Sequence, residues 1–175
     1  MKKLRLLLVL CAGVVSASCS FGQQVKGDHE LGLNGTFTVP HSSPSDADGT
    51  AQISYGYYFR RTDLLGFDLA VFVQKGSQAV YPQGRYRHLF SRKDAKVYPF
   101  VGAQAGGLLM RTGGSSTGNF LGAGEAGFKI FVSQRTALEI AYNLQYIQYS
   151  GGSFKDDSQS VITVGFTHIF GGHAR

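Results

Sequence analysis

The stretch Thr136–Tyr149, TALEIAYNLQYIQY, alternates between apolar and polar side chains with a period of two. One face carries large apolar residues, namely Leu138, Ile140, Tyr142, Leu144 and Tyr146. The other face carries small or polar residues, namely Glu139, Ala141, Asn143 and Gln145. A period of two is typical of a β-strand, and at about 3.3 Å per residue this strand is long enough to cross the hydrocarbon of a bilayer at a tilt.

The same alternation recurs along the chain in eight segments, which are Leu31–Val39, Ala51–Phe59, Leu64–Val73, Val80–Phe90, Val97–Gly106, Phe120–Val132, Ala137–Tyr149 and Ser160–Phe170. Short connectors join some of them, namely Arg60–Asp63, Ser91–Lys96 and Ser133–Thr136. Mostly longer connectors, rich in Gly, Ser, Pro and Asp, join the others, namely Pro40–Thr50, Gln74–Ala79, Gly107–Asn119 and Ser150–Ser158. Strict alternation of short and long connectors predicts an all-β fold, an eight-stranded antiparallel up-and-down β-barrel.

The two faces of these strands differ in a way that predicts their surroundings. The less apolar face has few charged residues, whereas a water-facing surface would carry many Lys and Glu. This less apolar face includes Gly32, Asn34, Thr36, Gln52, Ser54, Gln104 and Thr163. The opposite face is too bulky for the inside of an eight-stranded barrel; it includes Leu31, Leu33, Phe37, Ile53, Phe67 and Val71. We therefore expect a transmembrane β-barrel, with aromatic girdles that include Tyr57, Phe59, Tyr146 and Phe170. A soluble periplasmic lipocalin-like barrel is the inverted alternative.

Charged residues with inward parity predict a lumen charge network. Its members are Asp68, Arg85, Arg87, Glu125, Lys129 and Glu139, three acids and three bases. Hairpin folding places Asp68 opposite Arg85 and Lys129 opposite Glu139, and Glu125 reaches toward Arg85 or Arg87. Buried charges need partners, so such a network plugs the lumen. A narrow pore for small solutes is the alternative.

The amino-terminal segment Met1–Gly22 has a basic start, an apolar centre and small residues at its end, which predict a secretory signal peptide. We expect cleavage after Gly22 or Ser18, leaving a barrel domain over 23–175. Lipidation at Cys19 is the alternative. The formal charge of +6 is modest and no basic run is interleaved with aromatics, so no nucleic-acid partner is expected.

Two motifs resemble ligand sites without their structural context. Gly122–Gly127 matches G-x-G-x-x-G, but no helix is predicted after it to receive a pyrophosphate. Asp46–Gly49, DADG, lacks the remaining ligands of a calcium loop. Neither cofactor nor metal is therefore expected.

A lipid A-modifying enzyme is a further alternative, because nucleophile-and-base residues occur in the chain. Catalysis of this kind needs a hydroxyl, a His base and an acid within hydrogen-bond reach. His41 lies near Ser42, Ser43 and Asp46 in the first loop, whereas His88 and His168 have outward parity. Clusters of Ser, Pro and Asp usually form loops, so we expect no enzyme.

Three segments carry a resemblance to a known family: VYPFVGAQAG from Val97, NFLGAGEAGFKIFVSQRTALEIAYNLQY from Asn119 and VITVGFTHIF from Val161. The chain resembles the eight-stranded outer-membrane barrels of Gram-negative bacteria, the family around the outer-membrane protein A transmembrane domain and outer-membrane protein X. The resemblance implies outer-membrane placement, periplasmic chaperones, the barrel assembly machinery and a monomer. It also implies an assembly signal in the last strand, formed by Ile162, Val164, Phe166 and Phe170.

The connectors predict an orientation and a role. The short turns carry a basic rim suited to anionic phospholipid headgroups on the periplasmic side, made of Arg60, Arg61, Arg92, Lys93, Lys96 and Arg135. The longer loops are mixed in sign and would face lipopolysaccharide outside. We therefore expect a non-enzymatic outer-membrane protein with a structural or surface-interaction role.

Overall fold

The structure, a computed structural model, describes residues 24–40, 48–74, 77–90, 95–112, 115–148 and 157–171. Its strands are β1 (Asp28–Pro40), β2 (Asp48–Arg60), β3 (Asp63–Gln74), β4 (Ser77–Leu89), β5 (Val97–Thr112), β6 (Ser115–Phe131), β7 (Thr136–Gln148) and β8 (Asp157–Gly171). They form a closed antiparallel barrel in which consecutive strands pair and β8 returns to β1. The predicted eight-stranded up-and-down barrel is confirmed. The described ranges contain no helix that is long and apolar enough to span a membrane.

The apolar face of the strands lies on the outside of the barrel. Along β7, buried and exposed residues alternate almost from end to end. Outward side chains keep much of their surface exposed, 66% for Leu33, 59% for Phe166 and 56% for Ile53. The closed ladder pairs every strand on both sides, as a barrel in lipid requires. The inverted, lipocalin-like arrangement is wrong, because the bulky apolar set does not line the interior.

The barrel has two ends, which we call the turn end and the loop end. The turn end holds the β2–β3, β4–β5 and β6–β7 connections, together with the start of β1 and the end of β8. The loop end holds the β1–β2, β3–β4, β5–β6 and β7–β8 connections. Two connectors at the loop end are shorter than predicted: β3 ends at Gln74 before β4 begins at Ser77, and β5 ends at Thr112 before β6 begins at Ser115. The Gly- and Ser-rich residues assigned to these loops instead pair across the hairpins, because cross-strand bonding overrides their turn preference.

The lumen at the turn end is filled by what we call the aromatic plug, a buried cluster formed by Tyr58, Leu64, Leu89, Tyr98, Phe100, Phe131, Ala137, Ala141 and Ile169. The expectation that small polar residues fill the whole lumen is therefore wrong at this end. Inward glycines make room for the bulky groups. A Cβ on Gly127 would lie 2.7 Å from Phe100 Cζ, and one on Gly56 would lie 2.8 Å from Leu64 Cδ1.

Candidate functional site

Arg87 is the centre of the lumen charge network. From β4, its Nε donates to Glu125 Oε1 at 2.5 Å and its Nη2 donates to Glu125 Oε2 at 2.9 Å. Its Nη1 lies 2.7 Å from Glu139 Oε1, and all three side chains are at most 3% exposed. The guanidinium carbon lies 4.3 Å above the centre of the Phe100 ring. Arg87 therefore holds β4, β6 and β7 together across the lumen, by two hydrogen bonds to Glu125 and an ion pair with Glu139.

Lys129 forms a second centre, next to the aromatic plug. It lies opposite Glu139 in the β6–β7 register, as predicted, and its Nζ is 3.6 Å from Glu139 Oε2. The same ammonium pairs with Glu30 of β1 and donates to Tyr58 Oη at 3.2 Å. Tyr58 in turn donates to Glu30 Oε2 at 2.6 Å. Lys129 therefore connects strands on opposite sides of the lumen.

Glu30 is a member of the network that the sequence prediction missed. Its side chain is fully buried although it lies only two residues into β1. It shares inward parity with Asn34 and Thr36, which is the signal that could have identified it. Glu30 adds a fourth carboxylate to a network predicted to balance three acids with three bases, and Tyr58 is the neutral donor that helps to satisfy it.

The third charge pair joins Asp68 of β3 to Arg85 of β4. Arg85 Nη1 lies 2.9 Å from Asp68 Oδ1, and both side chains are buried. The predicted register is wrong by two residues, because Asp68 lies opposite Gln83. The β3–β4 hairpin closes across residues 75 and 76 rather than across a longer loop. The long Arg85 side chain spans the diagonal, so the ion pair forms despite the register difference.

Neutral amides extend the network toward the loop end. Gln104 Nε2 donates to Glu125 Oε2 at 2.9 Å and to Asn143 Oδ1 at 3.2 Å. Asn143 Nδ2 donates to Thr163 Oγ1 at 3.3 Å. Along the barrel axis, the aromatic plug is therefore followed by the charged layer and then by a layer of neutral amides.

A cavity of about 160 Å³ occupies the lumen above these amides, at the loop end. We call it the loop-end cavity. Hydroxyl and amide side chains form much of its wall, among them Thr36, Thr50, Gln83, Gln104, Gln145 and Gln159. None of the described residues that line it carries a charge.

Exposed cations ring the turn end, as the basic rim prediction requires; those described are Arg60, Arg61, Lys96 and Arg135. Arg92 and Lys93 lie outside the described residues. His88 is at this end, where its Nδ1 donates to Asp63 Oδ1 at 2.9 Å. Tyr86 donates to the same oxygen at 2.7 Å. His88 and Tyr86 of β4 therefore both hold Asp63, the first residue of β3.

The last strand presents its predicted assembly residues to the outside. Ile162, Val164 and Phe166 are exposed on alternate positions, and Phe170 follows on the same face. The Phe170 ring stacks on His29 of β1 with centroids 5.7 Å apart. The structure therefore places the four residues on one outward face at the β1–β8 seam, while their part in assembly stays a prediction.

The other motifs that the sequence offered as possible sites have the following positions in the structure. Gly122–Gly127 lies inside β6 without a following helix, so its nucleotide-site context is absent. The possible catalytic group of His41, Ser42, Ser43 and Asp46 lies outside the described residues, as does the segment 1–22, whereas His168 lies exposed on the outer face. Among the described residues, no group of three His, Cys, Asp or Glu could hold a metal ion.

Solved structures, but no family model or curated sequence, are similar to this barrel. No protein-family model matches the chain, and no curated protein sequence does. Neisserial surface protein A is similar at 14% identity over 82% of this chain and 96% of that one, with a TM-score of 0.63. The fold is that of the eight-stranded outer-membrane barrels.

Two Pseudomonas aeruginosa structures are also similar. The N-terminal β-barrel domain of OprF has 12% identity over 84% of this chain and 100% of that one, with a TM-score of 0.63. The outer-membrane protein OprG has 12% identity over 86% and 99%, with a TM-score of 0.56. At these identities the shared property is the fold.

Proposed function

We propose that this protein is an integral barrel of the bacterial outer membrane with a structural or surface-interaction role and no catalytic activity. The observation that carries the proposal is the filled lumen. Arg87, Glu125 and Glu139 meet in the middle of the barrel with almost no exposed surface, and the aromatic plug closes the turn end. A solute crossing the barrel would have to break buried ion pairs, which costs several kcal/mol.

The outside of the barrel supports placement in a membrane and suggests an orientation. Its broad apolar surface suits lipid, and the exposed cations at the turn end suit anionic phospholipid headgroups on the periplasmic side. The loop end would then face lipopolysaccharide and the exterior. In this proposal the barrel is a monomer, delivered by periplasmic chaperones and inserted by the barrel assembly machinery through the outward face of β8.

A narrow pore for small solutes is the second candidate, and the loop-end cavity favours it. The cavity already opens part of the lumen, and the described groups that block the remainder include side chains of the strands. Rotation of the Arg87 side chain together with displacement of the aromatic plug would be the opening step.

Envelope and conductance measurements together test the proposal. We expect the wild-type protein to fractionate with the outer membrane, to shift in gel mobility on boiling, and to show baseline conductance in planar bilayers, as should Arg87→Ala. A deletion strain should become more sensitive to detergent, or lose cell-surface binding, and recover with the wild-type gene. Lipid A acylation should be the same in both strains.

Three results would contradict the proposal separately. Steady wild-type conductance would favour the pore. A change in lipid A acylation would favour an enzyme. Equal detergent sensitivity and equal surface binding in the deletion and complemented strains would exclude the structural or surface-interaction role.

A further inference from the structure

The loop-end cavity has the chemical character of a ligand site. It lies in the lumen between the amide layer and the loop end, and its volume of about 160 Å³ is some five times the share of one water molecule in the liquid. Every described residue that lines it is uncharged. The carboxylates below it already have partners: Glu125 is held by Arg87 and Gln104, and Asp68 is held by Arg85. A charged ligand would find no counter-charge among these described lining residues, so they suit a neutral molecule.

One wall of the cavity carries a dense set of groups that both donate and accept hydrogen bonds. Gln159 Nε2 donates to Gln145 Oε1 at 2.7 Å, and the hydroxyls of Thr36 and Thr50 bond to each other. Each of these side chains has further hydrogen-bonding capacity after that bond is made. Amides and hydroxyls of this kind can both donate to and accept from neighbouring hydroxyl groups on a ligand.

The opposite wall, formed by β3, β4 and β5, contains amides but also carries an apolar and partly aromatic patch. Ala79 is buried there in a cluster with Leu108, and Phe72, Tyr81 and Met110 pack against it while lining the cavity. Water molecules against this patch would find few hydrogen-bond partners on that side. A few directed polar groups opposite an apolar wall are typical of a small-molecule site.

From these features we propose that the loop-end cavity binds a small neutral sugar or related polyol of about monosaccharide size. The ligand's hydroxyl groups would bond to the amide and hydroxyl wall, and its C–H face would pack on the apolar wall. The site would be reached from the loop end, because the charge network closes the lumen below it. The inference depends on the cavity and does not require the structural or surface-interaction role.

Saturation-transfer NMR on the whole protein in phospholipid nanodiscs would test the site, with D-glucose as the probe and arginine as a charged comparison. Nanodiscs are needed because alkyl glucoside detergents carry sugar headgroups. We expect saturation transfer to glucose and none to arginine. No transfer to glucose, or equal transfer to arginine, would overturn the proposal.

A pair of Ala→Phe substitutions locates the binding. Ala79→Phe fills the cavity from the lumen side, whereas Ala103→Phe adds the same ring to the outer face of β5. We expect Ala79→Phe to abolish saturation transfer and Ala103→Phe to preserve it. Equal signals in the two variants would place the glucose elsewhere and overturn the proposal. Retention of the gel mobility shift on boiling shows that each variant has folded.

A second pair keeps the test decisive if Ala79→Phe does not fold. Gln145→Leu removes a polar group from the cavity wall at nearly constant volume, and Gln148→Leu makes the same change on the outer face of β7. We expect Gln145→Leu to weaken glucose binding at least about tenfold, which corresponds to the loss of about one hydrogen bond. Unchanged binding in Gln145→Leu would refute the assigned hydrogen-bonding wall.

Discussion

Replacing Arg87 with leucine is expected to destabilise the barrel by about 3–4 kcal/mol. Removing one partner of a buried ion pair costs about 3–5 kcal/mol, because a charge is left without compensation. Arg87 pairs with two carboxylates, and each of them keeps another partner when Arg87 is removed. Glu139 keeps Lys129 at 3.6 Å, and Glu125 keeps the bond from Gln104 at 2.9 Å. We therefore expect the lower part of the range rather than twice the penalty.

Unfolding in urea, with the protein inserted in lipid vesicles, measures this loss. The chain contains no Trp, so the folded fraction is best followed by gel mobility and circular dichroism rather than by Trp fluorescence. A double-mutant cycle isolates the cause. The double variant Arg87→Leu with Glu125→Gln should be more stable than Arg87→Leu alone, because the neutral amide removes one uncompensated charge, with a coupling energy of about 0.5–3 kcal/mol.

The matched control for Arg87 is Arg135, an exposed residue at the turn end. Arg135→Leu should change the unfolding free energy by less than about 0.5 kcal/mol. A loss of less than about 1 kcal/mol in Arg87→Leu would refute the assignment of Arg87 as the buried clamp. If the double variant is no more stable than Arg87→Leu, then Glu125 does not carry an unpaired charge once Arg87 is removed.

Three further substitutions are expected to lower the unfolding free energy measured in the same vesicles. Gly102→Ala should cost about 1–3 kcal/mol, because the added Cβ would lie 2.5 Å from a carboxylate oxygen of the charge network. Ile140→Lys should cost about 2–4 kcal/mol, because it places a charge on the lipid face. Tyr58→Phe should cost about 1.5–3 kcal/mol, because it removes a hydrogen bond to a buried carboxylate.

Each of these substitutions has a matched control. Gly124→Ala should be close to wild type, since its Cβ would meet no atom within 4 Å. Gln148→Lys lies on the same outer face as Ile140 but at the strand end, and should cost about 0–1 kcal/mol. Tyr57→Phe changes an exposed ring and should be neutral. A control that loses as much stability as its partner would contradict the corresponding explanation.

The strands and their faces could be predicted from sequence because side-chain direction in a strand has a fixed period. Leu33 and Phe166 lie outside and Asn34 and Thr163 inside, as the alternation predicts. Connector lengths were predicted less well. Glycines and serines such as Gly107 and Ser116 pair within β5 and β6, since a partner strand can hold residues that favour turns.

The contents of the lumen depend on strand register, which the sequence specifies only through its turns. A two-residue difference in one hairpin moved Asp68 from a position opposite Arg85 to one opposite Gln83. The ion pair between Glu30 of β1 and Lys129 of β6 joins strands that are not neighbours, so no pairing pattern predicts it. The loop-end cavity has no sequence signal, because its lining is scattered over most of the chain.

The β1–β8 seam has a consequence for the order of folding. Its ladder runs from Asp28 paired with Gly171 to Pro40 paired with Gln159, so it joins the first and last strands of the chain. Contacts between distant parts of a chain carry a large loop-closure cost and form slowly. The Phe170–His29 stack belongs to this late step. Closure therefore waits until the final strand has been synthesised, and until then both β1 and the growing end present unpaired edges that need protection from aggregation.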